Sequence, residues 1–327
     1  MGIIVQKFGG TSLRNLNNKP SILKHIKECI NSSNTPVIVV SAMGRKGDPY
    51  ATDTLIRQLE QINNRIDSKK KDLIMSCGET ISASVVSHLL EVNNIPSEPL
   101  TGFQAGILTD DNFNSAEIMN IDVWTVKKYI REGKVVVIAG FQGVTKNKEI
   151  TTLGRGGSDI TAIALGGHLK AERVDIFTDV PGVAIIDPKI VPYTRYIKKI
   201  SFADMYNLTS NGVKVMHPKA VEIANKFNIP VRVTSAYLNL PGTLISNENS
   251  NEKIIGIAIN HKEEHVIFTT FFNIECRDTI TKDFKNFYTA NKKDIVDMLY
   301  DNRKISIITN TNNIPHFAQQ LYNNLIK

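Results

Sequence analysis

Cysteine, tryptophan and long apolar stretches are scarce in this chain of 327 residues. Its three cysteines, Cys29, Cys77 and Cys276, are odd in number, far apart and form no Cys-x-x-Cys pair. That excludes a disulfide scaffold and a structural zinc site. The seven histidines show no metal-ligand spacing, and His217, just before Pro218, reads as a turn residue; no protein-held metal is expected. No apolar run approaches the roughly 18–20 residues needed to cross a bilayer. The start, Met1-Gly2-Ile3-Ile4-Val5-Gln6-Lys7, lacks the basic-then-apolar order of a secretory signal. A cytoplasmic, reducing address without a membrane partner is therefore expected. Two phosphate-binding fingerprints are also missing. No Gly-x-x-x-x-Gly-Lys-Ser/Thr occurs, and the first strand is not followed by Gly-x-Gly-x-x-Gly, which argues against P-loop enzymes and nicotinamide-dependent oxidoreductases.

What is present is the composition of a folded protein, 42% hydrophobic and 22% charged. The formal charge of +7 comes from basic residues spread along the chain. Lys69-Lys70-Lys71 is the one tight run, and no aromatic residues interleave with it, so it reads as a solvated helix start. Nucleic acid is not expected as a partner.

Short Val- and Ile-rich runs at Ile3 to Phe8, Pro36 to Ser41, Val135 to Phe141, Val174 to Thr178 and Pro230 to Ser235 read as buried strands. Amphipathic stretches lie between them, at Pro20 to Ile30, Thr54 to Ile66, Asp72 to Asn93, Ser158 to Leu169, Ser201 to Asn211 and Pro218 to Phe227. Near-continuous apolar strands alternating with helices predict a mostly parallel sheet covered on both faces, an α/β αβα sandwich. The expected division is a large domain over 1–246, a polar linker over 247–253 and a small α+β module over 254–327. In that module, strands are expected at Ile254 to Ile259, His265 to Phe272 and Ile305 to Thr309, with a helix from Pro315 to Leu325.

Five turns carry chemistry. In Lys7-Phe8-Gly9-Gly10-Thr11-Ser12, glycines let backbone approach a phosphate, and Lys7 at the strand end is placed to reach it. Val39-Val40-Ser41-Ala42-Met43-Gly44 is a second strand end, where ligands of open α/β sheets bind. Ser76-Cys77-Gly78-Glu79-Thr80 puts a carboxylate at an expected helix start or kink. Thr151-Thr152-Leu153-Gly154-Arg155-Gly156-Gly157-Ser158-Asp159 brackets a guanidinium with glycines before a helix, which suits carboxylate or phosphate recognition. Phe177-Thr178-Asp179-Val180-Pro181-Gly182-Val183, followed by Asp187-Pro188-Lys189, offers paired turns for a nucleotide.

Together and in this order, these stretches resemble the aspartate kinases of the amino-acid kinase superfamily, over residues 2 to 246. Lys214-Val215-Met216-His217-Pro218-Lys219-Ala220 resembles a further signature of that family. The resemblance implies that Lys7, Phe8, Gly9 and Gly10 hold ATP phosphates, with Lys214 and Val215 near them. It implies that Thr178, Asp179, Ala184, Asp187, Pro188 and Lys189 line the nucleotide site. Ala184 and Lys189 stand where many members carry Tyr and Arg. It further implies that Ser41, Thr52, Glu79, Arg155, Gly156, Gly157 and Ser158 hold L-aspartate, with Arg155 on its α-carboxylate and Glu79 on its ammonium. Lys7, Gly10 and Asp159 would be catalytic, Asp159 organising Lys7 and a Mg²⁺ that arrives with the nucleotide. The implied product is 4-phospho-L-aspartate, formed on the way to lysine, threonine and methionine, by a homo-oligomer, a dimer. The region after 250 suffices for one module of the ACT type, where the family usually has two. Two alternatives stand beside this: a sibling enzyme acting on another acid, a carbamate or a nucleotide, and a non-catalytic or regulatory ligand-binding subunit.

Overall fold

All five Val- and Ile-rich runs are strands in the computed structural model, which describes residues 2–14 and 19–326. By contact the chain groups into two units, Met1–Pro181 with Glu222–Leu240, and Gly182–Val221 with Pro241–Lys327. In chain order the first contains β1 (Ile3–Phe8), α1 (Gly10–Leu13), α2 (Lys19–Asn31), β2 (Thr35–Val40), α3 (Thr52–Glu60), α4 (Ser68–Val92) and β3 (Ser97–Leu100). It continues with β4 (Ile107–Thr109), β5 (Ile118–Ile121), α5 (Trp124–Arg131), β6 (Val135–Ala139), β7 (Gln142–Val144), β8 (Ile150–Thr152), α6 (Gly157–Leu169) and β9 (Arg173–Thr178). Next come β10 (Lys199–Ser201) and α7 (Phe202–Ser210) in the second unit. Helix α8 (Pro218–Phe227) then leads back to β11 (Val231–Ser235) in the first.

Within the first unit the strands run in the order β11-β9-β1-β2-β6-β3, all parallel. The two-residue period of a strand sorts β1 between the sheet's faces. Ile4, Gln6 and Phe8 face α2, where Gln6 Nε2 donates to the His25 carbonyl at 3.2 Å. Phe8 joins Ile22, Ile26, Ile38, Val40, Val86 and Leu90 in one apolar cluster. Val5 and Lys7 face α6 instead. That helix is apolar nearly all round, as a helix buried in the fold should be. This is the expected α/β sandwich.

Several boundaries differ from expectation for local reasons. Helix α3 stops at Glu60 because Asn63 folds its side chain onto the Arg65 amide at 2.8 Å, a turn that competes with the helix. Ile62, the next apolar residue of the pattern, is left 84% exposed. Helix α4 begins four residues early, at Ser68, because Asp67 caps it by accepting from the Lys70 amide. An 18-residue window of its 25 residues has a mean hydropathy of 1.3, so by length and composition alone the helix is long and apolar enough to cross a membrane, although no uninterrupted apolar run of that length occurs in it. Half of that window is buried inside the protein, and Asp72 and Glu79 lie on its buried side. A second small sheet, β5-β4-β7-β8, was not expected. Its strands are only three or four residues long, too short to show a period.

The second unit adds β12 (Thr243–Ser246), β13 (Ile254–His261), β14 (Val266–Phe272), α9 (Arg277–Asn291), β15 (Ile295–Tyr300), β16 (Lys304–Thr309) and α10 (Ile314–Leu325). Its antiparallel sheet runs β13-β14-β16-β15. Phe268 and Phe287 pack their rings on Phe317, at centroid distances of 5.2 and 5.3 Å. This is the expected ACT-like α+β module. Residues 182–221 join it by contact: the Arg195 amide donates to Tyr322 Oη at 2.9 Å, and Arg303 pairs with buried Asp204 at 3.0 Å. The segment 247–253 carries no strand or helix, although Ser250 is buried.

At the middle of the parallel sheet, Asp175 is 1% exposed and accepts from both Arg173 and Arg232, each at 2.7 Å. Replacing Asp175 by Asn leaves two guanidinium groups without their counter-charge. Because both arginines keep some solvent contact, the expected loss is about 2–3 kcal/mol rather than the full cost of a buried charge. Urea denaturation of Asp175→Asn measures it.

Candidate active site

Lys7 ends the central strand on the α6 side, nearly buried, with Nζ 2.7 Å from Asp159 Oδ1. Asp159 lies in the first turn of α6, where backbone amides and the macrodipole favour a negative charge. Strand alternation and helix start thus meet at one ion pair. Just beyond it, the turn after β1 touches the turn after β2. The Gly44 amide donates to the Gly10 carbonyl at 2.9 Å, and a Cβ on Gly10 would lie 2.4 Å from the Ala42 carbonyl oxygen. Only glycine permits that approach.

The arginine turn is built the same way. Strand β8 runs into Gly154 and Gly156, whose φ values of 70° and 75° lie in the left-handed region that favours glycine. Gly157 packs where a Cβ would meet Phe141 at 2.6 Å. Arg155 is held outward between them, exposed and without an ion pair among the described residues. Gly78 and Glu79 sit in the middle of α4, not at a start or kink, so the helix dipole does not account for Glu79. Gly78 allows α4 to approach the β2 turn: a Cβ there would lie 2.7 Å from Ala42 Cβ and 2.8 Å from the Tyr50 carbonyl oxygen. The next residue, Glu79, is thereby brought into the site, 3% exposed, with Oε2 lacking a hydrogen-bond partner.

Ten of the residues expected to act, Lys7, Gly10, Ser41, Thr52, Glu79, Arg155, Gly156, Gly157, Ser158 and Asp159, line a single cleft of about 650 Å³ in the first unit. Lys71, Asn114 and Phe141 also line it, and the sequence did not reveal them. The sequence pattern places Lys71 in a solvated helix start. Only its neighbours fit that reading: Lys69 pairs with Glu149 and Lys70 is exposed, whereas Lys71 is half-buried at the cleft wall. Asn114 and Phe141, with φ of 68° and 69°, sit in loops with no local signature.

Phe8 takes a different place. Its ring is fully buried and stacked on Phe177 at 4.8 Å, so only its backbone faces the turn. Gly9 donates its amide to the Phe177 carbonyl at 3.2 Å. Thr178 and Asp179 follow at the end of β9, where Asp179 pairs with Arg45. Ala184, Asp187, Pro188, Lys189, Lys214 and Val215 belong to the second unit. There Ala184 bridges to Tyr196, and Asp187 closes a turn by accepting from the Lys189 amide at 2.9 Å. Lys214 is exposed and Val215 half-buried in the segment before α8.

Electrostatically the cleft joins an exposed guanidinium, a buried Lys–Asp pair and a carboxyl in a dry wall. Burial pushes the Glu79 carboxyl up to about 8; nearby backbone amides and the Lys7 ammonium pull the other way without cancelling it. Such a group is poised to ionise when a cation arrives. Oxygen donors for a divalent metal are few: among the described residues no three His, Cys, Asp or Glu side chains cluster to hold one. Asp159 alone offers a carboxylate at the pair with Lys7, which fits a Mg²⁺ bound mainly by a nucleotide's phosphates and water.

Residues 2–235 match the amino acid kinase family. The chain belongs to that family. Aspartokinase 1 of Bacillus subtilis is 45% identical over 252 residues, which is 77% of this chain and 62% of that protein. The aspartokinase of Geobacillus stearothermophilus is 42% identical over 84% of this chain and 66% of its own length. The chain thus spans somewhat less than two thirds of these relatives. Among solved structures, Escherichia coli aspartokinase III in complex with lysine and aspartate superposes with a TM-score of 0.74 over 99% of this chain and all of that one, at 20% identity. Aspartate kinase from Synechocystis superposes with a TM-score of 0.66, at 31% identity, over 94% of this chain and 52% of that one.

The raised pKa of Glu79 has a consequence for stability. Below about pH 4.5 the carboxyl is protonated whether the chain is folded or not, and burial costs nothing. Between 4.5 and about 8 the unfolded chain ionises while the folded one stays neutral, so stability falls as pH rises. Glu79→Gln removes the ionisation and should unfold at higher denaturant than the parent at pH 8. The advantage is on the order of 4 kcal/mol at pH 8 and vanishes near pH 4. Equal midpoints at both pH values would contradict it.

Proposed function

We propose that this chain is an ATP-dependent aspartate kinase, forming 4-phospho-L-aspartate and ADP. The observation that carries this reading is the cleft that joins free Arg155, buried Glu79 and the Lys7–Asp159 pair. An α-amino acid needs a partner for each of its two charges. Arg155 suits the α-carboxylate through a bidentate contact, and Glu79, with one unpartnered oxygen, suits the ammonium. The side-chain carboxylate is then left to face Lys7 and the Gly9-Gly10 turn. The names and identities of the relatives support the same substrate.

The chemistry follows from the residue types. A carboxylate of ordinary pKa near 4 is ionised at pH 7, so the nucleophile needs no general base. One of its oxygens bonds to the γ-phosphorus as the bond from that phosphorus to the β–γ bridging oxygen breaks, and ADP leaves. The obstacle is repulsion between two anions. The Lys7 ammonium, the close backbone of Gly10 and the amides that open α6 supply fixed positive charge where negative charge gathers. Asp159 holds Lys7 in place and is the residue that would hold Mg²⁺, which when bound neutralises phosphate charge. Ser41, Thr52 and Ser158 give hydroxyls to orient the acid.

In this reading Thr178, Asp179, Ala184, Asp187, Pro188, Lys189, Lys214 and Val215 serve the nucleotide. Residues 1–246 are the catalytic domain, 247–253 the linker and 254–327 the ACT-like module. The enzyme would be a cytoplasmic dimer supplying lysine, threonine and methionine synthesis. Cys77, a free and exposed thiol, agrees with a reducing compartment.

Trapping the acyl phosphate with hydroxylamine, in the presence of aspartate, ATP and Mg²⁺, tests the reading. Arg155→Ala should lower kcat/KM for aspartate about 10- to 100-fold, the worth of a charge-assisted hydrogen bond. Turnover of an N-acylated acid or UMP in place of aspartate would favour a sibling activity, and ATP binding without turnover a regulatory subunit. A second outcome concerns pH. Because Glu79 must ionise to hold an ammonium, kcat/KM for aspartate should climb up to about pH 8. That limb should be missing in Glu79→Gln.

A further inference from the structure

Asp72 is fully buried in the second turn of α4, yet it does not line the cleft. Its carboxylate is saturated by donors from two other segments. Oδ2 accepts from the backbone amides of Asn114 and Thr152, each at 2.9 Å, and Oδ1 accepts from the Thr152 hydroxyl at 2.6 Å. Burial raises its pKa, and these donors, together with the charge of Lys71, oppose the rise. The same helix grips Asn114 a second time, through the Ser68 carbonyl and Asn114 Nδ2 at 3.1 Å. Thr152 and the Asn114 loop are themselves joined, since the Ala116 amide donates to the Thr152 carbonyl at 2.9 Å.

Both clamped segments lead into the site. Thr152 ends β8, three residues before Arg155, and Asn114 lines the cleft with its carbonyl against Gly154. Glu79 lies seven residues after Asp72, two turns along the same buried face of α4. One carboxylate therefore bolts the helix that carries Glu79 to the strand that leads into the Arg155 turn. We propose that Asp72 is a positioning residue that sets the spacing between Glu79 and Arg155, and through it the affinity for the amino-acid substrate. This rests on the aspartate kinase reading, in which those two side chains hold the ammonium and the α-carboxylate. A carboxylate suits the task because it accepts on both oxygens. An amide of the same shape loses the charge, and it keeps the two backbone amides satisfied only by turning its NH2 toward the Thr152 hydroxyl, which must then switch from donor to acceptor and lose its bond to the carboxylate.

The test is Asp72→Asn in the full chain, with steady-state kinetics in both substrates and amide hydrogen exchange. KM for aspartate should rise about tenfold while KM for ATP stays within about twofold. The amides of Asn114, Thr152, Leu153 and Gly157 should exchange faster, while those around Glu79 keep their protection. A general loss of stability would instead lower the active fraction and leave both KM values alone. An unchanged KM for aspartate, or an equal rise for ATP, overturns the proposal. If Asp72→Asn does not fold, Thr152→Val removes one donor of the three. A smaller rise confined to the aspartate KM then supports the proposal, and no rise overturns it. If the parent chain does not turn over aspartate, the functional reading fails on its own. The exchange experiment then decides about Asp72: faster exchange at Leu153 and Gly157 supports the bolt, and unchanged exchange overturns it.

Discussion

The ion pair between Lys7 and Asp159 is the point from which the site is organised. An ammonium at the end of a central strand can be buried only with a counter-charge in good geometry, because desolvating it alone would cost several kcal/mol. The first turn of α6 supplies that charge at 2.7 Å. Once α6 starts there, the glycine turn that precedes it must lie beside the end of β1, and Arg155 is carried with it. The β2 turn must press against Gly10, since the two strands are neighbours in register from Ile3 to Phe8. Three turns far apart in the chain become one wall.

The cleft is stable in a particular sense. Its glycines, Gly10, Gly78 and Gly157, mark places where backbone or a ring occupies the space of a side chain, so the walls cannot drift. Within those walls the charges are left unsatisfied. Arg155 lacks an ion pair among the described residues, and burial raises the Glu79 carboxyl to about 8 against the opposing pull of the Lys7 ammonium. Rigid backbone around unpaired charge is what electrostatic catalysis and charged-ligand binding require, and it costs folding stability. Asp72 shows the converse: a buried carboxylate with every oxygen used serves as structure.

Much of this was legible in the sequence because glycine turns at strand ends have few uses. Five of the six parallel strands of the first unit were visible as β-branched runs, β3 being the exception, and the Lys7 and Arg155 turns stood out through charge set among glycines. Phe8 shows where such reading stops. Adjacent in sequence to Lys7, it points to the other face of the sheet and packs on Phe177. The Gly78-Glu79 pair reads as a helix start or kink, and glycine inside a helix is locally unfavourable. The reason for that glycine, Ala42 across the gap, is remote in sequence. Lys71 looked like one of three solvated lysines, and helical rotation alone turned it toward the cleft. Asn114 and Asp72 had no signature at all, since their roles consist of hydrogen bonds to segments about 40 and 80 residues away.

The sequence by itself determined the family, the strand and helix order and the chemical types at the site, because these depend on local composition and on turns whose backbone demands glycine. Tertiary structure alone decided which side chains share the cleft, which carboxyl group burial raises and which serves as a bolt. Those depend on burial and on contacts between distant segments, and a charge has no fixed pKa or partner until the fold removes water from around it.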